Sequence, residues 1–461
     1  MNSQPDFATP PPGCPAHQSA NGSGPKNERV PLHGPEFAAA PETYYAYLRK
    51  FGPAAPVELA PGVPATLVTD YSAALHVLQS PEVFARDSRR WRDYNEGRIP
   101  ADSPVLPAMA YRPNALFADG AEHLRLRQAI TDSLGKLDSH RLSRQVERVS
   151  AYLIDRFSAR GTVDLVEEYG KLVALLVFND LFGCPAEIGD RLAEGMSEMW
   201  DGVNPEGASE KVGKALMELI AHKRRQPAED VTSWLIQHSA GLTDEEMMHQ
   251  LVTLAGAGSD PVRNLICNGL LLILSDERFF GGQYGGALLV EDAIDEVLWN
   301  SPPVANYAVH YPTQNVDLFG VKLGVGDPVA ISFAAANTDP TLSSSRQMLS
   351  KRAHLAWGAG PHACPAKDSA QLMAIGAMEK LLNELPDIEL AVPAENLKWR
   401  PGPFHRGLIS LPARFTPVRR PASMEPAERS ERVGGQTNPQ EPQGRQGRGG
   451  FWSSFLNWWR A

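Results

Sequence analysis

The chain has 461 residues, a net charge of −10, 43% hydrophobic residues and 21% charged residues. This length suits two or three domains or one large domain, and the composition is that of a soluble globular protein. The acidic balance argues against nucleic acid as a partner, because phosphate binding requires a basic surface.

The cysteines and the N-terminus bear on localisation. The four cysteines lie far apart without a CxxC pair, which argues against a disulfide framework or a zinc site and favours a reducing cytoplasm. The N-terminus shows no signal-peptide pattern, and no run of 18 apolar residues occurs. We therefore expect a soluble, cytoplasmic protein.

The first hundred residues contain short elements between irregular stretches. Residues 1–34 are rich in Pro, Gly, Ser and Asn and are predicted to be disordered. A short helix at 41–51, an alternating strand at 65–69 and a helix at 71–78 follow. The long polar stretch 85–113 is either a binding loop or a solvated charged loop.

A helix begins near Gly120 and carries His123 and Arg127 four residues apart, so both lie on one helical face. Two donor side chains on one face suit an anionic partner such as a carboxylate. A solvated polar face is the alternative. From about 137 to 235 the pattern predicts amphipathic helices with short polar breaks.

A long helix is predicted from about 244 to 276, with Gly256, Gly258 and Pro261 in its middle. Proline removes one backbone hydrogen bond and clashes one turn back, so we expect a kink there. Conflicts between a local rule and its element tend to mark function, and Ser259 and Asp260 supply polar groups at this place. The alternative is a glycine-rich helix packed closely against a neighbour.

The next helix, at 293–303, contains Glu296 and Trp299 and is ended by two prolines. Short strands follow at 306–331. The loop 357–366 then places Cys364 where another helix begins. The positive end of that helix favours a thiolate, which is the form that binds iron. A buried structural cysteine is the alternative for any lone cysteine.

The C-terminal region changes composition past 418. Residues 419–450 are rich in Pro, Gly, Gln, Glu and Arg and are predicted to be a disordered linker. The tail 451–461 contains three tryptophans and two phenylalanines. As a helix it would place Phe451, Phe455, Trp458 and Trp459 on one side, which suits a membrane surface or a partner protein. The alternative is that this side packs on the protein's own apolar surface.

The cysteine loop, Trp-Gly-Ala-Gly-Pro-His-Ala-Cys-Pro-Ala, resembles the heme-ligand loop of cytochrome P450s, Phe-Gly-x-Gly-x-His-x-Cys-x-Gly. The resemblance covers residues 35–418 and implies one domain with the P450 fold, mostly α with a minor β-region. It implies heme b as cofactor, with Cys364 as the iron ligand. Trp357 and Gly358 would lie beside the heme, and His362 would contact a propionate.

The resemblance extends to further heme contacts and to the long helix. His123 and Arg127 match the His-x-x-x-Arg that holds propionates, and His310 stands where the family commonly has an arginine. The residues around Gly258 and Asp260 resemble the oxygen-binding groove, in which Asp260 and water would relay protons. Pro261 replaces the usual threonine, so Ser259, water or a substrate hydroxyl would substitute for its hydroxyl.

Glu296 matches the first residue of the family's Glu-x-x-Arg motif, but Trp299 replaces the arginine. This replacement resembles an unusual actinobacterial P450 subfamily. A buried Glu296 would then be protonated, hydrated or paired with another cation, for which Arg346, Lys351 and Arg352 are the candidates.

The resemblance implies a monooxygenase that inserts one oxygen atom of O₂ into a small apolar organic substrate. Ferredoxin and its reductase would supply the electrons. Two alternatives stay open. One is a low-turnover heme-binding sensor or a partner in a signalling complex, and the other is a peroxide-driven peroxygenase.

Overall fold

The computed structural model describes residues 29–201, 205–280, 289–342, 352–418 and 450–460. The predicted disordered segments fall mainly on 1–28 and 419–449, outside the described residues. The longer helices are α1 (Pro41–Leu48), α2 (Tyr71–Gln79), α3 (Gly120–Leu134), α4 (Ser139–Ser158), α5 (Lys171–Leu181), α6 (Ala186–Asp201), α7 (Pro205–Arg225), α8 (Val231–Gln237), α9 (Asp244–Ser275), α10 (Val290–Asn300), α11 (Lys367–Glu384) and α12 (Phe451–Arg460). Single-turn helices lie at Pro35–Ala39, Arg92–Asn95, Leu106–Met109, Glu277–Phe280 and Phe333–Asn337.

The strands form one larger and two small sheets. They are β1 (Val30–Pro31), β2 (Ala54–Ala60), β3 (Val63–Val68), β4 (Phe84–Ala85), β5 (Thr162–Asp164), β6 (Asn306–Pro312), β7 (Val316–Leu318), β8 (Val321–Leu323), β9 (Val329–Ser332), β10 (Glu389–Leu390) and β11 (Pro412–Arg414). The main sheet has the order β1-β2-β3-β9-β6-β4, and the others are β10-β11-β5 and β7-β8. Helices dominate, which confirms the predicted mostly α fold with a minor β-region.

The ordered chain begins earlier than residue 35. β1 pairs in parallel with β2, with Val30 opposite Val57, and the side chains of Val30 and Leu32 are buried. The two apolar side chains alternate along an edge strand, so burying them against the sheet offsets the ordering of this short segment. The prediction of disorder is therefore wrong for residues 30–34, the part of segment 1–34 in which the structure describes a strand and buried side chains.

The main hydrophobic core lies among α4, α5, α9, α10 and α11. Leu153, Val173, Ile266, Leu298 and Met378 represent these five helices in it, each at most 1% exposed. Apolar burial of this kind stabilises the fold by about 25 cal/mol per Å². Across the described residues, no helix combines the length and apolar character that crossing a bilayer requires.

Helix α9 runs the length of this core and is unbroken at Pro261. A capping box fixes its start: the Glu246 backbone N–H donates to Thr243 Oγ1 over 3.2 Å, and the Thr243 N–H donates to Glu246 Oε2 over 2.8 Å. Because proline has no N–H, the carbonyl of Ala257 receives no backbone hydrogen bond from position 261. The proline thus frees one backbone acceptor without ending the helix.

The aromatic tail folds back onto the protein. In α12, Trp452 and Phe455 are 2% and 0% exposed, whereas Phe451 and Trp458 remain 42% and 38% exposed. The prediction that Phe451 lies on the buried side is wrong, because Trp452 takes that place. The side chain of Trp459 lies outside the part of the chain that the structure describes. For Trp452 and Phe455 the structure shows the alternative, packing on the protein's own surface beside α4 and α6.

Candidate functional site

The cysteine loop is a closed turn shaped by two glycines. The Cys364 backbone N–H donates to the Trp357 carbonyl over 2.7 Å. Gly358 and Gly360 have φ values of 70° and 68°, which side chains rarely adopt. A Cβ at position 360 would lie 2.2 Å from the Leu78 carbonyl oxygen. The loop therefore needs glycine at 360, both for its backbone angle and for its contact with α2.

The thiol of Cys364 lies just before α11. Burial raises the pKa of this thiol, while the Ala366 N–H and the charges of Arg127 and Lys367 act in the opposite direction. Burial outweighs these contributions, so in the protein alone the pKa of the Cys364 thiol lies above its usual value. A bound metal cation would reverse this balance, since a coordinating thiol is deprotonated.

Helix α3 presents His123 and Arg127 to the cysteine loop. The Arg127 guanidinium donates to the Ala363 carbonyl. The rings of His123 and His362 lie 4.0 Å apart at 36°. The two residues predicted to share a face therefore do so, and both reach the residues that flank Cys364.

Two further basic residues come from the main sheet. Arg86 follows β4 and is 4% exposed, and its Nη1 donates to the Val309 carbonyl over 2.7 Å. His310 of β6 is 2% exposed, with Nδ1 2.5 Å from the Ala308 carbonyl oxygen. Sequence reasoning missed Arg86, because no local pattern distinguishes it from the other charges of the 85–113 stretch.

These basic groups influence one another strongly. Burial, together with Arg86, His123, His310 and Arg127, holds the pKa of His362 far below its usual value. Burial also lowers the pKa of His123 and of His310. The three imidazoles are therefore neutral, while both guanidiniums remain charged.

The cluster has donors to spare. His123 Nε2 and Arg86 Nε are buried, and neither finds an acceptor among the described residues. A buried polar group without a partner costs about 1–3 kcal/mol. Asp119 lies 4.0 Å from His362 Nε2, but its carboxylate also accepts the backbone N–H groups of Arg86 and Asp87. The site therefore fits a ligand that brings carboxylates of its own.

The middle of α9 borders open space. Ala257 is exposed although Ala255 and Ser259, two residues to either side, are buried. A Cβ at Gly256 would meet no atom within 4 Å. Pro261, one turn after Ala257 on the same face, is half-buried. The free carbonyl of Ala257 thus lies on a face that has room for a ligand.

Ser259 and Gly258 lie elsewhere on the helix. The Ser259 hydroxyl donates to the Ala255 carbonyl of its own helix and is buried. A Cβ at Gly258 would lie 2.4 Å from Phe178 Cζ. For Gly258 the structure therefore supports the packing alternative, close contact with α5, rather than a place at the open face.

Asp260 is engaged by two guanidinium groups and one imidazole. Its carboxylate lies 2.6 Å from Arg263 Nη2, 2.9 Å from His405 Nδ1 and 3.1 Å from Arg400 Nη2. Burial alone would raise the pKa of Asp260, but the His405 contact and the two guanidiniums hold it well below the usual range. Sequence reasoning missed Arg400 and His405, which come from a segment about 140 residues away.

Glu296 is paired on the surface rather than buried. It lies 2.8 Å from Arg278 Nη2, and its side chain is 29% exposed. The expectation of a buried carboxylate is therefore wrong. Arg278 supplies a cation that we did not predict, because it precedes the helix instead of following it. Two predicted cations, Arg346 and Lys351, lie outside the described residues.

An aromatic pair occupies the interior at this place. Trp299 is 6% exposed, and its ring meets His354 edge-to-face at 5.7 Å and 86°. Burial lowers the pKa of His354 to about 4, so the imidazole is neutral at physiological pH. Two uncharged rings thus pack in the interior, where we expected a cation to be needed beside Glu296.

Comparison with known proteins identifies the class. No protein-family model matches the chain. It is 30% identical to the 2-hydroxy-5-methyl-1-naphthoate 7-hydroxylase of Streptomyces carzinostaticus, over 80% of this chain and 93% of that protein. It is 31% identical to cytochrome P450 monooxygenase PikC of Streptomyces venezuelae, over 83% of this chain and 92% of that protein.

Solved structures agree with these relatives. CYP154C4 from a Streptomyces species superposes with a TM-score of 0.75 at 27% identity, over 84% of this chain and 98% of that one. CYP154A1 from Streptomyces coelicolor gives 0.74 at 26% identity, over 84% and 100%. The chain belongs to the cytochrome P450 family. It is an oxidoreductase of the monooxygenase class with heme as its cofactor.

Proposed function

We propose that this protein is a heme-thiolate monooxygenase that inserts one oxygen atom of O₂ into a small apolar organic substrate. The observation that carries the proposal is the meeting of the Cys364 loop with a buried cluster of basic side chains. Cys364 would be the iron ligand, in a catalytic domain that reaches from the first strand to residue 418. Trp357, half-buried against the main core, and Gly358 would flank the heme.

The basic cluster would hold the heme propionates. Arg86 and Arg127 supply the charge, and the neutral imidazoles of His123, His310 and His362 supply further donors. On the side of the main sheet, Arg86 would contribute more to propionate binding than His310, since His310 is a weaker and neutral donor. With this assignment the propionates become hydrogen-bond acceptors for the unpaired buried nitrogens of Arg86 and His123.

When bound, heme supplies the activation of O₂ by two electrons and two protons. The chain's own contribution is the open face of α9. There the small side chains of Ala257 and Pro261 leave a space that is too narrow for bulky groups. Because Pro261 has no hydroxyl, we propose that water held at the Ala257 carbonyl carries protons there. Asp260 would supply them only after exchanging one of its three partners, Arg263, Arg400 and His405. The buried Ser259 hydroxyl would join only by leaving Ala255.

We further propose a ferredoxin-type protein, with its reductase, as electron donor in the cytoplasm. The proposal is supported by the similarity to bacterial cytochrome P450 monooxygenases such as PikC, of which this chain spans 92%, because bacterial P450s generally use ferredoxin-type partners. We also propose membership of the actinobacterial subfamily in which tryptophan replaces the arginine of Glu-x-x-Arg. The Trp299–His354 pair supports this, because it fills the interior without any charge.

A second candidate function, a heme-binding sensor with little turnover, has one observation in its favour. Asp260 is fully occupied by Arg263, Arg400 and His405, and Pro261 offers no hydroxyl to relay a proton. Both features slow proton delivery. A peroxide-driven enzyme would avoid this difficulty, because peroxide brings its own protons.

Turnover assays separate the three functions. The purified protein is incubated with small aromatic and polyketide substrates, beginning with 2-hydroxy-5-methyl-1-naphthoate. One series contains ferredoxin, reductase and NADPH, another contains peroxide alone, and a third contains neither. We expect hydroxylated product in the first series. Product only with peroxide supports the peroxygenase. Intact heme with no product and no spin-state shift supports the sensor.

A further inference from the structure

The C-terminal helix α12 begins on a side chain of α6. Asp190 of α6 accepts the backbone N–H groups of Trp452 over 2.7 Å and of Ser453 over 3.2 Å, and it also accepts the Ser453 hydroxyl. A carboxylate that takes these N–H groups acts as the N-cap of the helix. The cap normally comes from the residue before a helix, so the first turn of α12 is fastened directly to α6.

A tryptophan extends this attachment. The Trp452 indole N–H donates to the Cys184 carbonyl, just before α6, over 3.1 Å. A Cβ at Gly189 would lie 2.2 Å from Trp452 Cδ1, so only glycine at 189 leaves room for the ring. Gly450 has the same character, because its Cβ would lie 2.3 Å from the Asp190 carboxyl. The surface of α6 is therefore shaped to receive α12.

The other side of α12 packs on α4. The ring of Tyr152 lies 5.4 Å from that of Phe455 and 5.2 Å from that of Trp458. Trp452 and Phe455 belong to the main hydrophobic core, together with Tyr152 and the rest of α4. Helix α12 therefore connects α6 to the rigid centre of the molecule.

Direct packing between α4 and α6 is incomplete beside α12. A cavity of about 460 Å³ lies there, lined by Leu153 and Phe157 of α4 and by Ala193 and Glu194 of α6. On its far side α6 packs with α7, and α7 in turn packs with α9; Leu192 of α6 and Leu251 and Ala255 in the N-terminal half of α9 belong to one apolar cluster. That half of α9 ends at the open face around Ala257.

We propose that α12 is a strap that restrains α6 and thereby slows the entry and exit of ligands at the open face of α9. The strap holds α6 to α4 across the cavity, so releasing it lets the α6–α7 pair move away from α9. This inference depends on the proposed heme site in one respect only, because the entry and exit of ligands are measured by binding to the heme.

The test uses the full chain with three substitutions. Gly189→Ala expels Trp452 by steric clash, and Trp452→Ala removes the ring itself. Gly213→Ala in α7 is the matched control, because a Cβ there meets no atom within 4 Å. Hydrogen exchange is measured at amides 186–201 and 450–460, and imidazole binding to the heme is followed by stopped-flow absorbance.

We expect both strap variants to speed amide exchange in α6 by about tenfold or more, and the control to leave it unchanged. Imidazole association and dissociation should accelerate by a similar factor, which leaves its Kd within about twofold. Far-UV circular dichroism identifies a variant that is misfolded. If one strap variant is misfolded, the other strap variant decides whether the proposal holds.

The proposal is overturned if amides 450–460 lose protection while α6 exchange and imidazole rates stay at the wild-type values. Hydrogen exchange is measured with and without heme and does not depend on turnover. A wild-type protein that never binds imidazole would contradict the proposed heme site, while the exchange result at α6 would still decide the strap.

Discussion

At the scale of single residues, the contacts of the buried arginines are informative. Arg86 donates to the Val309 carbonyl and Arg127 to the Ala363 carbonyl, so neither of these bonds is made to a carboxylate. Burial lowers the pKa of both guanidiniums, which measures the cost of keeping the charges inside. A ligand with two carboxylates would offset that cost.

Replacing Arg86 by methionine should accelerate heme loss. A buried charge-assisted hydrogen bond contributes about 1.5–3 kcal/mol, so dissociation should rise about 10- to 100-fold. Transfer of heme to an excess of an acceptor protein measures the rate. Arg89→Met is the control, because Arg89 is 55% exposed and pairs with Asp87. Equal rates in the two variants would exclude Arg86 from the heme site.

The Trp299–His354 pair carries a second residue-scale prediction. Restoring the family's arginine with Trp299→Arg should destabilise the protein by about 2–4 kcal/mol. The new charge would face a neutral imidazole, while Glu296 is held at the surface by Arg278. Trp299→Phe, which keeps an aromatic ring, should cost less. Urea unfolding measures both, and an arginine variant as stable as wild type would contradict the reasoning.

At the scale of elements, glycine fixes the cysteine loop against α2. Gly360→Ala should cost about 2–3 kcal/mol and reduce heme incorporation, because the Cβ adds a clash with the Leu78 carbonyl to the strained φ. Gly358→Ala is the matched control: its φ is the same within a few degrees, but its nearest contact is 3.6 Å away. It should cost about 1–2 kcal/mol. If the two variants had the same stability and heme content, the contact with α2 would not contribute to the stability of the loop.

Asp260 joins α9 to the C-terminal segment that carries Arg400 and His405. Removing its charge with Asp260→Asn leaves buried cations uncompensated and should cost about 3–5 kcal/mol. Glu389→Gln is the control, because its pair with Arg414 is largely exposed and should contribute little. Urea unfolding at neutral pH compares them. A cost as small as the control's would show that the cluster is not tightly coupled.

The same variant predicts a pH dependence. The folded pKa of Asp260 lies well below the unfolded value of about 3.9. Its stabilisation is therefore complete above about pH 5 and is lost as the pH falls below about 4, where the unfolded chain takes up a proton first. The difference in unfolding free energy between wild type and Asp260→Asn should shrink as the pH falls below about 4. A difference that grew on acidification would contradict this assignment.

At the scale of the whole molecule, sequence predicted the features that are local. The Cys364 loop, the shared face of His123 and Arg127, and the long α9 helix follow from spacing within a few residues. Arg278, Arg400 and His405 were missed, because the partner of a buried charge is chosen by the fold and not by neighbours in the chain.

The aromatic tail shows the same limit. Helical spacing placed Phe451 on the apolar side, but Trp452 is the residue that fills the space above Gly189. Phe451 and Trp452 are adjacent aromatic residues at the start of the helix, and the surface that receives the helix selects which of the two is buried. The heme assignment is different, since it depends on a single side chain that can be tested directly.

The most direct test of the account is the carbon monoxide difference spectrum of the reduced protein. We predict the red-shifted band of a thiolate-ligated heme in wild type and in Cys267→Ala, and its loss in Cys364→Ala. Cys267 is a fair control, because it is fully buried and burial raises its thiol pKa. A wild-type band typical of imidazole ligation, or a thiolate band that survives in Cys364→Ala, would contradict the account.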